Sequence, residues 1–162
     1  MPRLRAAIVI VQHIPASFTE SLRSLLQACT EMDIIIAKEG IIPQESQVII
    51  APTGHQLIFR KDKTIDLSVT TRLHFVCPAV DYTMLSIQEK MYKQVTGIVL
   101  TGMGHDGTKG IEHINSIGGI TIAQDPETAP IATMPLFAIN TGTVQFILTP
   151  EEIHARMRTY EK

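Results

Sequence analysis

The run Gly97-Ile98-Val99-Leu100 passes directly into Thr101-Gly102-Met103-Gly104-His105-Asp106-Gly107, and a helical pattern, Thr108-Lys109-Gly110-Ile111-Glu112-His113-Ile114, begins at once. A short apolar run bounded by turn residues reads as a buried strand. Glycines at 102, 104 and 107 make a tight strand-to-helix turn whose backbone can approach a ligand closely. Strand, turn and helix in that order commit the chain to an α/β architecture. In an open parallel sheet the carboxyl ends of the strands are where ligands and reacting groups sit. His105 and Asp106 place ionisable side chains at the tip of this turn.

The rest of the chain repeats the alternation. Strands are predicted at Ala6–Val11, Asp33–Ala37, Gln47–Ala51 (stopped by Pro52), Gly97–Thr101, Gly119–Ala123 and Thr143–Leu148. The run Ala6-Ala7-Ile8-Val9-Ile10-Val11 is β-branched and continuous, as in a parallel strand buried on both faces. Helices are predicted at Phe18–Ala28, where Phe18, Leu22, Leu25 and Leu26 share helical spacing, at Ala79–Tyr92, Lys109–Ile117 and Met134–Asn140, and from Pro150 onward. Leu57–Arg60 and Thr64–Leu67 flank a polar turn and read as a hairpin. The expected fold is a doubly wound, mostly parallel sheet with helices on both faces, three layers in all, with that hairpin inserted.

A chain of 162 residues, 44% hydrophobic, can bury its own core, and one domain over 1–162 is the expectation. A net charge of −2 and the absence of Trp give neither a basic field nor base-stacking surfaces, so nucleic acid is not an expected partner. Cys29 and Cys77 lack metal or redox spacing and read as reduced thiols of a cytoplasmic protein. The first apolar run is too short to cross or insert in a membrane and leads straight into Gln12-His13.

Two polar clusters fall at predicted strand ends: Gln12-His13-Ile14-Pro15 after the first strand, and Gly104-His105-Asp106-Gly107 after the strand at 97. If those strands are neighbours, His13 and Asp106 emerge on one edge. A histidine held by a carboxylate is the base-and-orienter half of a hydrolytic triad. Taken singly, His13 reads as a satisfied polar residue at a strand end, and Asp106 as a turn or cap residue.

Gln12-His13-Ile14-Pro15, Phe18-Thr19, Val48-Ile49-Ile50-Ala51-Pro52 and Gly54-His55 resemble, in order, the catalytic domain of the chemotaxis receptor protein-glutamate methylesterases. Pro78-Ala79-Val80-Asp81, Leu100 through Gly107, Gly118-Gly119, Ala123-Gln124-Asp125 and Met134-Pro135 continue the resemblance to nearly the whole chain. The resemblance implies hydrolysis of glutamate γ-methyl esters on methylated chemotaxis receptors, and in some members deamidation of receptor glutamines. It puts the family's histidine on His13 and its aspartate on Asp106, and places Met103 and Gly104 in the substrate and oxyanion environment. No cofactor is implied.

The family's nucleophilic serine lies upstream of the histidine in a Gly-x-Ser-x-Gly-Gly turn, and only Met1 to Val11 precede Gln12 here. The expectation is an N-terminally incomplete domain without a receiver domain. Ser17 reads as a helix cap and Ser116 as a helix-end residue; Ser21, Ser24, Ser46, Ser68, Ser86 and Cys77 lack the glycine-flanked turn that exposes a nucleophile. Little or no esterase activity is expected of this chain alone. It is either a shortened product or a degenerate relative.

Three alternatives stand beside this reading. Gly102-x-Gly104-x-x-Gly107, with Asp125 beyond the next strand, matches a dinucleotide-binding fingerprint, although the Asp106 carboxylate would repel a pyrophosphate at the helix start. A metal on His105, Asp106 and His113 lacks the usual ligand spacing, and His113 reads instead as a solvated face residue. His55, His74 and His154 have no local partner that suggests chemistry, though His55 could border the site. A non-catalytic interaction module, a homodimer included, would cover the sheet edge that an absent first strand leaves open. The proline-rich stretch Pro126–Pro135 reads as a loop and a wall of the substrate cleft.

Overall fold

The computed structural model describes residues 1–69 and 76–162, and the chain divides into two compact units. The expectation for His74 lies outside the described residues. The first unit comprises Met1–Ala79 with Arg156–Lys162, and the second Val80–Ala155.

In the first unit β1 (Ile8–Ile10), β2 (Asp33–Ile36) and β3 (Gln47–Ile50) form a parallel sheet with β3 in the centre. Ile8 and Ile34 both register with Val48, and Ile10 and Ile36 with Ile50. The central position explains the unbroken Val48-Ile49-Ile50 run, since all three side chains are buried. Leu22 and Leu26 of α1 (Thr19–Cys29) pack on a core of Leu4, Met32, Ile34, Val48 and Ile50. The C-terminal residues close this unit, with the Arg5 N–H donating to the Tyr160 carbonyl at 2.7 Å. The hairpin is present as β4 (Gln56–Phe59) and β5 (Ile65–Ser68), paired antiparallel with Phe59 opposite Ile65.

In the second unit β6 (Thr96–Val99), β7 (Ile120–Gln124) and β8 (Phe146–Leu148) form another parallel sheet in that order. Its helices are α2 (Val80–Leu85), α3 (Thr108–Ser116) and α4 (Thr133–Asn140), and α5 (Pro150–Arg158) leads the chain back to the first unit. Val99, Ile111, Met134 and Ala138 form the core, with Val80, Met84 and Val144 packed against it. Outside the hairpin every pairing between these strands is parallel.

Three local expectations are corrected. The helix predicted to run to Tyr92 stops at Leu85, because the Ser86 hydroxyl folds back on the Thr83 carbonyl at 2.7 Å and the Ile87 carbonyl is bound by His113. Ser17 caps no helix: it lies in a 3-10 turn (Ala16–Phe18), and α1 begins after Phe18 without a side-chain cap. His113 is half-buried rather than solvated, its Nε2 lying 2.7 Å from that Ile87 oxygen.

Candidate functional site

In the first unit the chain leaves the carboxyl ends of β1 and β3 in adjacent loops, as the parallel pairing requires. His13 lies in the loop after β1, exposed, between Gln12 and Ile14, whose own carbonyl and N–H meet at 3.1 Å. The Thr53 hydroxyl from the loop after β3 donates to the Ile14 carbonyl at 3.0 Å and meets the Thr19 hydroxyl at 3.4 Å. Two hydroxyls therefore pin the base of the loop that carries His13. His55 follows in the same region, with its Nδ1 buried.

In the second unit the turn after β6 is held along its length by the segment that follows β7. The Thr101 N–H donates to Gln124 Oε1 at 2.8 Å, and the Gly102 N–H to the Ile131 carbonyl at 2.9 Å. Thr133 then bridges the turn: its hydroxyl donates to the Gly102 carbonyl at 2.9 Å and accepts the Gly104 N–H at 3.2 Å. Gly104 and Gly107 both have φ of +94°, the left-handed region that glycine adopts without strain, and Gly107 stands at the start of α3. Met103 projects from the tip, 78% exposed, and the exposed His105 ring stacks obliquely on Phe137 with centroids 5.8 Å apart. Leu136 and Ile131 add to this apolar rim.

Asp106 is the buried member of the turn, only 3% exposed. Its carboxylate does not cap its own helix. Oδ2 accepts the Val80 N–H at 2.7 Å and Oδ1 the Asp81 N–H at 2.9 Å, the first amides of α2. Backbone donors and the positive end of a helix stabilise negative charge on it.

The site residues read from the sequence thus occupy carboxyl ends of parallel strands, His13 in one unit and Met103, Gly104 and Asp106 in the other. Three supporting residues escaped that reading. Asp81 and Thr133 each lie in the first turn of a helix, where acids and hydroxyls satisfy amides, and this was the available signal. Gln124 carried none, because the amide it accepts from is 23 positions away.

The dinucleotide alternative loses its donors here. The Gly110 N–H in the first turn of α3 is taken by Asp81 Oδ1 at 2.7 Å. Asp125 accepts the Glu127 N–H at 3.0 Å in its own turn, which accounts for an acid at that position without a ribose. The stretch from Pro126 begins as a 3-10 turn and its last residues, Thr133 to Pro135, open α4. Among the described residues no group of three His, Cys, Asp or Glu side chains could hold a metal ion, and no helix is long and apolar enough to cross a membrane.

Comparison with known proteins supplies the context. The CheB methylesterase family model matches residues 1–157. A protein-glutamate methylesterase/protein-glutamine glutaminase of Pyrococcus horikoshii is 38% identical over 153 residues, which cover 93% of this chain and 42% of that protein. A putative protein-glutamate methylesterase/protein-glutamine glutaminase of Leptospira interrogans is 35% identical over 146 residues, covering 90% of this chain and 76% of the relative. The crystal structure of the Thermotoga maritima CheB methylesterase catalytic domain is similar with a TM-score of 0.89 at 32% identity, over 95% of this chain and 83% of that one. The fold is accordingly the three-layer α/β fold of that domain, with mostly parallel sheets. The chain spans about two fifths of the length of the first of these relatives.

Proposed function

The chain belongs to the CheB methylesterase family, and from that premise we propose that it carries the general base and the orienting carboxylate of a hydrolase for glutamate γ-methyl esters on chemotaxis receptors. His13 is the base and Asp106 the orienter. The observation that carries this reading is Asp106 itself: a carboxylate buried at the carboxyl end of a parallel strand, its charge met by two backbone amides. Such a group holds an imidazole in one tautomer and stabilises the imidazolium without taking its proton.

The chemistry follows the serine-hydrolase sequence. A serine hydroxyl attacks the ester carbonyl while His13 takes its proton. The tetrahedral adduct collapses, His13 returns the proton to the methoxide, and methanol leaves. Water, deprotonated by His13, then attacks the acyl-serine, and His13 returns that proton to the departing serine oxygen, leaving a glutamate carboxylate. A glutamine side chain would pass through the same steps and release ammonia. Met103 and Gly104 border the reacting carbonyl. The Gly104 N–H is already donated to Thr133, so Gly104 acts through its backbone shape. The reaction on receptors would run in the cytoplasm.

No serine in residues 1–162 stands in a glycine-flanked turn. Loss of a triad nucleophile lowers turnover on the order of a million-fold, so this chain by itself is expected to release methanol near the uncatalysed rate. The test is to fuse the serine-bearing strand, turn and helix of a family member ahead of Met1 and assay methanol release from a methyl-esterified glutamyl peptide. The fusion should gain activity that His13→Ala or Asp106→Asn removes. A folded, active fusion indifferent to both substitutions would overturn the assignment.

A further inference from the structure

Asp81 and Asp106 close each other's helices. Asp106, one residue before the Gly107 that starts α3, accepts the Val80 and Asp81 amides of α2. Asp81, in the first turn of α2, accepts the Gly110 amide of α3 at 2.7 Å. Asp81 is fully buried and Asp106 nearly so. The exchange depends on a close approach of the two helices: a Cβ on Gly110 would fall 2.7 Å from the Met84 Cβ. Two buried carboxylates this near repel one another, and each is offset by the amides at the opposing helix's start.

We propose that Asp81 is a positioning residue for the acid–base pair. Through Gly110 it fixes the first turn of α3, and with it the turn that aims the Asp106 carboxylate. The inference rests on the reading of Asp106 as the orienting carboxylate, and it adds a residue on another helix that sets that group's geometry. Lys109 on α3 is exposed, and His105 on the turn itself lies against Phe137 of α4.

The test separates position from charge. In the full chain, the Asp106 carboxyl is titrated by carbon-13 NMR in the native protein, in Asp81→Asn and in Asp81→Ala. Asn keeps an oxygen for the Gly110 amide and removes the like charge, so the Asp106 midpoint falls, by about one pH unit. Ala also removes the charge but releases Gly110, so the α2 amides no longer stay on Asp106 and its midpoint rises. Midpoints that fall alike in both variants would make Asp81 a neighbouring charge only and overturn the proposal. Should Asp81→Ala not fold, Asp81→Glu decides. It retains the charge but moves the oxygens by one methylene, and the Asp106 midpoint rises if position matters and stays if it does not. The parent reading is judged separately, by whether the serine-bearing fusion responds to Asp106→Asn.

Discussion

Met134 holds Gly102 from two sides. Its N–H donates to the Gly102 carbonyl at 3.0 Å, and its sulfur occupies the space that a Cβ on residue 102 would need. Met134 is itself nearly buried in the core of the second unit. The turn after β6 is therefore docked by its smallest residue on the start of α4.

Gly102→Ala should destabilise the chain by about 1–3 kcal/mol, the usual range for an inserted core methyl, moderated here because a methionine end can swing aside. Urea unfolding measures it. Met134→Ala alone should lose about 2–5 kcal/mol through the cavity it leaves. Because the two side chains compete for one space, the double variant should lose less than the sum. Strict additivity would mean that the contact does not govern the turn.

Thr133→Val tests the second hold on the same turn. The shape is kept but the hydroxyl is lost, which strips a donor from the Gly102 carbonyl and the acceptor from the Gly104 N–H. The Met134 amide still serves Gly102, and the site is exposed, so stability should fall by only about 0.5–1.5 kcal/mol. The sharper effect should appear in amide hydrogen exchange, with Gly104 losing protection while Ile111 in the core of α3 keeps it. Unchanged exchange at Gly104 would remove Thr133 from the description of the turn.

Much of this arrangement is legible before any coordinates. The continuous β-branched run Ile8-Val9-Ile10 announces a parallel strand, but as the edge strand of its sheet it is half-buried rather than covered on both faces, and the glycines at 102, 104 and 107 announce the turn, because these signals are local. What the sequence hides is long-range. Nothing near Asp106 indicates that its amides come from α2, and nothing near Asp81 indicates that it serves Gly110, because reciprocal capping follows from how two helices cross. The helix over-read to Tyr92 has the same origin. Its propensity continues past Leu85, but the Ile87 carbonyl is claimed by His113, 26 positions on.

Tyr92 makes one contribution to stability that depends on alkaline pH. Its phenol is pushed above the usual tyrosine value by burial, which disfavours the charged form. A folded-state value above the unfolded one, near 10, means that the neutral phenol supports the fold fully below about pH 10. That support fades as the pH rises through the higher folded-state value. The stability difference between the native chain and Tyr92→Phe should therefore be constant from pH 7 to 9 and shift in favour of Phe above about pH 10. Urea midpoints for both chains across that range decide it. A constant difference throughout would show that the phenol ionises as easily folded as unfolded.

The hairpin carries one residue in a conformation its side chain resists. The Lys63 N–H closes a turn on the Arg60 carbonyl at 2.9 Å, and the Arg60 N–H donates to the Thr64 carbonyl at 2.9 Å. The Asp62 carboxylate braces the same turn, accepting the Thr64 amide at 3.0 Å and its hydroxyl at 2.6 Å. Three residues therefore link the strands, and the third, Lys63, sits at φ +71°. That left-handed position is where glycine is favoured in loops of this length. Relief of the strain on a residue with a Cβ is worth about 1–2 kcal/mol, and the greater freedom of glycine in the unfolded chain takes back roughly half of it. Lys63→Gly should therefore stabilise the protein by about 0.5–1 kcal/mol, and Lys63→Val should destabilise it. Both are read from thermal unfolding at one pH and salt concentration. A glycine variant less stable than the native chain would mean that the lysine stem contributes packing greater than the strain it bears.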